Sequence, residues 1–267
     1  MPTISLQTTG LVLLTCLLGS ACASDPIPKQ QEITPTITTA TTDGVTIFGE
    51  RYFGTLDSSA PLVLLFHQGG SNGRGEYAEI ADWLNGAGFR AIAWDQRAGG
   101  DTYGEANRTV LGLPDGVATG YCDAYPDLVA ALEYVLAEEL AGEVVLWGSS
   151  YSAALIFKLA AEYPEKVAGL LAFSPASGGP LETCRARIWI DEINAPVSIF
   201  RPAAEMERAP SVEQKDILTA AGANFVVIEN GIHGSSMLLD SRTEQDMHSA
   251  RESVLSWLRD VTGDDSN

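Results

Sequence analysis

Basic residues are scarce in this chain: 16 Lys and Arg stand against 35 Asp and Glu, a formal charge of −19 over 267 residues. No basic cluster interrupts the acidic excess, so phosphate backbones would be repelled and nucleic acid is excluded as a partner. Histidine is scarcer still, with three scattered residues, and neither CxxC nor HExxH spacing occurs, so no metal centre is expected. The glycines of GGSNGRG (69–75) are not in GxGxxG register at a helix start and precede no Gly-Lys-Ser/Thr. Nucleotide binding is not written there, and no cofactor is expected.

Long apolar runs are also missing. The N-terminal segment LVLLTCLLGSACAS is too short to span a bilayer as a mature helix, and no Lys or Arg precedes it. It reads as an export signal over residues 1–23, with two routes of processing. Ala21-Cys22-Ala23 fits cleavage after Ala23, which would release a periplasmic or secreted protein. Gly19-Ser20-Ala21-Cys22 resembles a bacterial lipobox instead, which would hold a cell-envelope lipoprotein to a membrane through lipidated Cys22. Residues 24–32, beginning SDPIPKQQ, read as a disordered tether. Outside the signal only Cys122 and Cys184 remain, and an exported protein can carry them as a disulfide or as two buried thiols.

What the chain does have is a core: 45% of its residues are hydrophobic, enough for one large α/β domain, placed at 33–262. VTIFGERYFG, LVLLFH, FRAIAWD, EVVLWG, VAGLLAFSP, PVSIF and NFVVIE read as strands, several apolar throughout, as in strands buried on both faces. Helical spacing falls between them, over 77–86, 125–139, 151–163, 211–221 and 243–261. This is the rhythm of an open, mostly parallel sheet flanked by helices. A Gly-rich connection follows Asp95 and is longer than structural loops usually are, whereas 174–195 is too short for a large lid.

In such sheets ligands bind beyond the carboxyl ends of the strands. Four of those ends carry chemistry: His67-Gln68-Gly69-Gly70, Asp95-Gln96-Arg97, Gly148-Ser149-Ser150-Tyr151-Ser152 and the ENGIHGSS run around His233. Ser150 stands between a short apolar strand and a helix pattern ended by Pro164, with small residues two before and two after it, as a nucleophile on a tight turn requires. Ser149 and Ser152 then serve the turn. A serine hydroxyl needs an imidazole to take its proton. His67 follows a strand directly and His248 lies in a helix pattern, so His233, in a Gly-flanked loop, is the one placed to reach it. Asp95, Gln96 and Arg97 read as structural ties.

The order of FHQGGSNG, AWDQR, WGSSYSA, YPEKVAGLLAFSP and GIHGSS resembles the α/β-hydrolase superfamily, near its small dienelactone-hydrolase-like and esterase-like members, over roughly residues 45–260. The resemblance implies a nucleophile, acid, histidine order along the chain. Ser150 takes the place of the cysteine used by dienelactone hydrolases proper. The acid belongs after the strand PVSIF, where the chain reads RPAAEMERAP; the position falls on Glu205, with Glu207 the rival. The oxyanion hole would use the backbone N–H groups of Gln68 and Tyr151. The implied activity is a serine esterase acting on a small or short-chain carboxylic ester, with Tyr103 and Tyr121 narrowing the site. A peptidase or acyltransferase on the same triad, or a catalytically silent binding protein of this fold, are the alternatives.

Overall fold

Apolar runs become strands where both of their faces are covered, and the computed structural model, which describes residues 1–2 and 36–263, shows how. The export segment beyond Pro2, Cys22 and the tether lie outside the described residues. In chain order the elements are β1 (Thr36–Ala40), β2 (Thr46–Tyr52), β3 (Leu62–Phe66), α1 (Gly73–Gly86), β4 (Arg90–Asp95), α2 (Arg108–Leu111), α3 (Tyr125–Ala137) and β5 (Val144–Ser149). There follow α4 (Tyr151–Glu162), β6 (Val167–Phe173), β7 (Val197–Pro202), α5 (Ala209–Ala220), β8 (Asn224–Ile228), α6 (Asp240–Thr243) and α7 (His248–Thr262). The sheet order is β1-β2-β4-β3-β5-β6-β7-β8, with β1 and β2 antiparallel to their neighbours and the rest parallel.

Alternation along the central strands sends Leu62, Leu64 and Phe66 into a core shared with α3 and α4, and Val63 and Leu65 into a second core shared with α1 and α7. Both faces are therefore buried, which is why these strands are apolar at every position. Among the described residues no large lid covers the carboxyl edge.

Three of the differences from the expectation have a plain local cause. β1, TITTA, has no counterpart among the expected strands, because its propensity resides in β-branched threonines and not in an apolar run. α1 begins at Gly73 and not at Tyr77: the Asn72 side chain accepts the Gly75 N–H at 2.7 Å, a cap that carries the helix through glycine-rich sequence. The long C-terminal helix starts at His248 and not at Thr243, because Glu244 adopts a left-handed backbone with φ +56°.

The Gly-rich connection after β4 is pinned by buried charge. Asp95 accepts from Gly73 N at 2.8 Å and from the backbone and Nε of Arg108 at 3.0 and 2.9 Å. Arg97 forks onto buried Asp127 at 2.9 and 2.7 Å and reaches Asp43 at 2.8 Å. Cys122 and Cys184 are joined as a disulfide, which ties this connection to the segment after β6. Their sequence separation of 62 makes the loop closed in the unfolded chain large. Reduction, or the double substitution Cys122→Ser and Cys184→Ser, is expected to lower stability by about 4 kcal/mol in the chain-entropy account. Urea unfolding with and without reductant measures it, and equal midpoints would contradict it.

Candidate active site

Ser150 is the residue between β5 and α4, and its backbone sits at φ +59°, ψ −113°. A non-glycine residue tolerates positive φ only where its surroundings hold it. They do so here: Ser150 N donates to Phe173 O at 2.9 Å, and Ala176 N donates to Ser150 O at 3.0 Å. Gly148 supplies the room, since a Cβ there would fall 2.6 Å from the Ala153 nitrogen. Ser152, where a second glycine is usual in this motif, earns its place through its hydroxyl. Its Oγ donates to His67 O at 2.6 Å and accepts from Gln96 Nε2 at 2.7 Å, locking the turn to the ends of β3 and β4.

His67 is fully buried and committed on both ring nitrogens. Nδ1 faces Gln68 O at 2.8 Å, and Nε2 accepts from Gln96 N at 2.9 Å. Burial pulls its pKa down, so it stays a neutral pin for the loop, as its position at the end of a strand suggested.

Glu205 and His233, 28 positions apart, meet at 2.5 Å through Oε1 and Nδ1. Glu205 is buried, whereas Glu207 points to solvent, so the geometry separates the two rivals. The other carboxylate oxygen of Glu205 accepts from Arg201 Nη1 at 2.6 Å. Burial pushes the Glu205 pKa up, but hydrogen bonding to His233 and the charges of His233 and Arg201 outweigh it and hold the carboxyl below its ordinary value. Arg201 is buried and held in turn by Pro175 O at 2.5 Å and Gln214 Oε1 at 2.6 Å. The sequence reading gave Arg201 no role. Its location at the end of a parallel strand, the edge where functional residues gather, was the available signal.

The loop after His233 docks on the turn that bears Ser150. Ser235 N donates to Ser149 Oγ at 3.0 Å, and Gly234 N donates to Ser174 Oγ at 3.2 Å. Gly234 has φ +75°, and a side chain there would run into the Ser149 hydroxyl and the Gln68 amide. The loop that carries His233 is thus bound to the neighbour of Ser150, with the ring half exposed. Ser149 and Ser152 do more than serve the turn: each ties it to a different loop. His248 lies exposed at the start of α7, away from these contacts.

The expectation for Gln68 needs correction. Its N–H donates to Glu76 Oε2 at 2.8 Å, and one amide hydrogen committed to a buried carboxylate is not free for an oxyanion. Among the described residues nothing accepts from the next amide, that of Gly69. The Tyr121 hydroxyl lies so close to Gly69 that a Cβ would meet it at 2.7 Å. Tyr121 stacks on Tyr151 with ring centroids 4.8 Å apart, beside the disulfide. The Tyr151 N–H opens α4, where the helix offers it no acceptor. Tyr103 accepts from Gln68 Nε2 at 2.9 Å, beneath the Arg242 guanidinium 3.7 Å from its ring centre.

Glu76 itself escaped the sequence reading because it lies in the glycine-rich stretch before the expected start of α1. Burial pushes its pKa up to about 7, opposed by the Ser149 hydroxyl, the Gln68 amide and the charges of Arg242 and His233. The ordinary value is 4.5, so between there and about 7 the folded protein keeps a proton that the unfolded chain has released. Stability then falls as pH rises through that window. Glu76→Gln keeps the acceptor for Gln68 and removes the titration. It is expected to match the parent near pH 4 and to exceed it by roughly 3 kcal/mol above pH 7. Urea midpoints for both proteins at pH 4.5 and 8 test this, and a constant difference across pH would refute it.

Among the described residues no three His, Cys, Asp or Glu side chains gather as metal ligands. Residues 57–220, well over half the chain, match the family model described as serine aminopeptidase, S33. The chain belongs to that family. This S33-family chain has the α/β-hydrolase fold, as similar solved structures show. Est1E from Butyrivibrio proteoclasticus is 13% identical, covers 85% of this chain and 99% of its own, and has a TM-score of 0.63. The Pyrococcus furiosus esterase Pf2001 is 14% identical, with coverage of 88% and 96% and a TM-score of 0.60. A proline iminopeptidase from Mycobacterium smegmatis is 11% identical, with coverage of 85% and 99% and a TM-score of 0.61. No curated protein sequence matches the chain. Membership makes this S33-family chain a hydrolase of the α/β class; the family match ends before His233, so the histidine rests on the geometry alone.

Proposed function

We propose that this protein is an exported serine hydrolase that cleaves small carboxylic esters through Ser150, His233 and Glu205. The observation that carries the reading is the Glu205–His233 pair, held in a loop hydrogen-bonded to the neighbour of a positive-φ Ser150. With Nδ1–H given to Glu205, Nε2 of His233 is left as the base. It takes the Ser150 proton as Oγ attacks the ester carbon, then passes that proton to the departing alkoxide. Water, deprotonated by the same nitrogen, releases the acyl group from Ser150. The Tyr151 and Gly69 amides replace the Tyr151 and Gln68 pair as donors to the oxyanion. Tyr103 and Tyr121 border the site and favour short acyl chains. Export is supported by the apolar N-terminal segment and by the Cys122–Cys184 bridge, a bond that persists in oxidising compartments.

The family's own description, an aminopeptidase, favours a second reading in which the same residues cleave an amide. The test is labelling of the mature protein with a fluorophosphonate, mapped to the modified peptide. It runs beside hydrolysis of acetyl, butyryl and octanoyl nitrophenyl esters and of aminoacyl nitroanilides. Label on Ser150 with turnover of the short esters is the expected result. Nitroanilide turnover alone would favour the peptidase, and folded protein without label would leave a silent binding protein. Intact mass of the exported form distinguishes a diacylglyceryl group on Cys22, and so a membrane attachment, from cleavage after Ala23.

A further inference from the structure

A pocket of about 400 Å³ opens at the carboxyl ends of β6 and β7, between the segment after β6 and the first turns of α5. Two of its wall residues connect it to the proposed catalytic residues. Ser177 in its wall follows Ala176, whose N–H is held by Ser150 O. Gln214, in the opposite wall, is gripped by the same Arg201 that holds Glu205. A volume of this size suits a small organic group.

Two arginines line it, and they differ. Arg187 is paired at the surface with Glu213 at 3.2 Å. Arg185 has neither a side-chain hydrogen bond nor an ion pair among the described residues, although the chain carries 35 Asp and Glu and a charge of −19. Its side chain is half-buried and its Nε is buried without an acceptor. A guanidinium donates only, so an oxygen acceptor entering the pocket would find donors here that no other side chain has taken. The planar fork of arginine fits the two oxygens of a carboxylate. Pro210 and Ile217 add an apolar wall for a short hydrocarbon.

We infer that this pocket receives a carboxylate carried by the substrate, so that the enzyme's esters are small and anionic, with Arg185 as the specificity residue. The inference rests on the hydrolase reading above. It also runs against the overall charge: a protein at −19 should disfavour anionic esters, so a preference for them requires a local cation.

The test compares kcat/KM for matched pairs at low salt, with the charge on either side of the scissile bond: 4-nitrophenyl hemiadipate against 4-nitrophenyl hexanoate, and 4-acetoxybenzoate against 4-acetoxybenzamide. At least one anionic member should be preferred about tenfold or more, a factor in the range of one charge-assisted hydrogen bond. In Arg185→Gln the ratio should fall to about one or below, and Arg185→Lys should restore part of it; each ratio is internal to one protein and independent of the fraction folded. Adipate, titrated calorimetrically, should bind the parent and not Arg185→Gln, whether or not any ester turns over. Neutral esters preferred in both pairs, or a preference that survives Arg185→Gln, would overturn the inference while leaving the hydrolase reading intact. Absence of fluorophosphonate labelling with adipate still bound through Arg185 would overturn the hydrolase reading and keep the pocket.

Discussion

Replacing Ser150 with alanine is expected to lower kcat for short esters by about 10⁵-fold or more, since the attacking oxygen is gone and only binding and oxyanion contacts remain. Fluorophosphonate labelling should vanish with it. Stability should move in a second, separable way. Ser150 is held at φ +59°, where a residue with a Cβ is strained, so Ser150→Gly should be more stable than Ser150→Ala by about 1 kcal/mol while equally inactive. Thermal unfolding of the two variants beside the ester assay reads both effects. Turnover or labelling that persists in either variant would show that Ser150 is not the nucleophile.

Glu205→Gln should cost nearly as much for a different reason. The carboxylate accepts on both sides, from His233 through Oε1 and from Arg201 through Oε2. A glutamine has one acceptor and one donor, so it can satisfy only one of these partners. If its NH₂ faces Arg201, two donors oppose each other in a buried place. If it faces His233, the ring must turn its lone pair to Nδ1, leaving Nε2 protonated toward Ser150 and useless as a base. The expected result is a loss in kcat of about 10⁴-fold, as for other triad acids neutralised without change of shape. A stability loss of about 1–3 kcal/mol accompanies it, for the unsatisfied buried donor. Glu207→Gln, at an exposed carboxylate, should change neither. Equal effects from the two substitutions would refute the assignment of the acid.

The strand-to-helix turn that carries Ser150 was legible because its requirements are local. Strand, small residue, serine and helix follow one another in eight or nine positions, and a strand buried on both faces is apolar at every position. Counting placed the proposed acid at Glu205 with Glu207 as its rival, since two residues along a 3₁₀ turn face different ways and only the fold decides which faces inward. Arg201, Glu76 and Arg185 were beyond reach from sequence for a related reason. Each is an ordinary charged residue until its surroundings remove water from it. The wrong oxyanion amide has the same origin: counting along a loop finds the right turn, but which N–H is already spent on a carboxylate eight residues away depends on how α1 packs.

By itself the sequence determined the class of the molecule: a mostly parallel α/β sheet, a serine at a strand-to-helix turn and a histidine in a late loop, all set by short-range periodicity and steric demand. The tertiary structure alone decided which groups meet. It paired Glu205 with His233 across 28 positions, joined Cys122 to Cys184 across 62 and, among the described residues, left the Arg185 side chain without a carboxylate. Such pairings depend on distances between chain segments that no local pattern encodes, and on a dielectric that exists only once the core has closed over them.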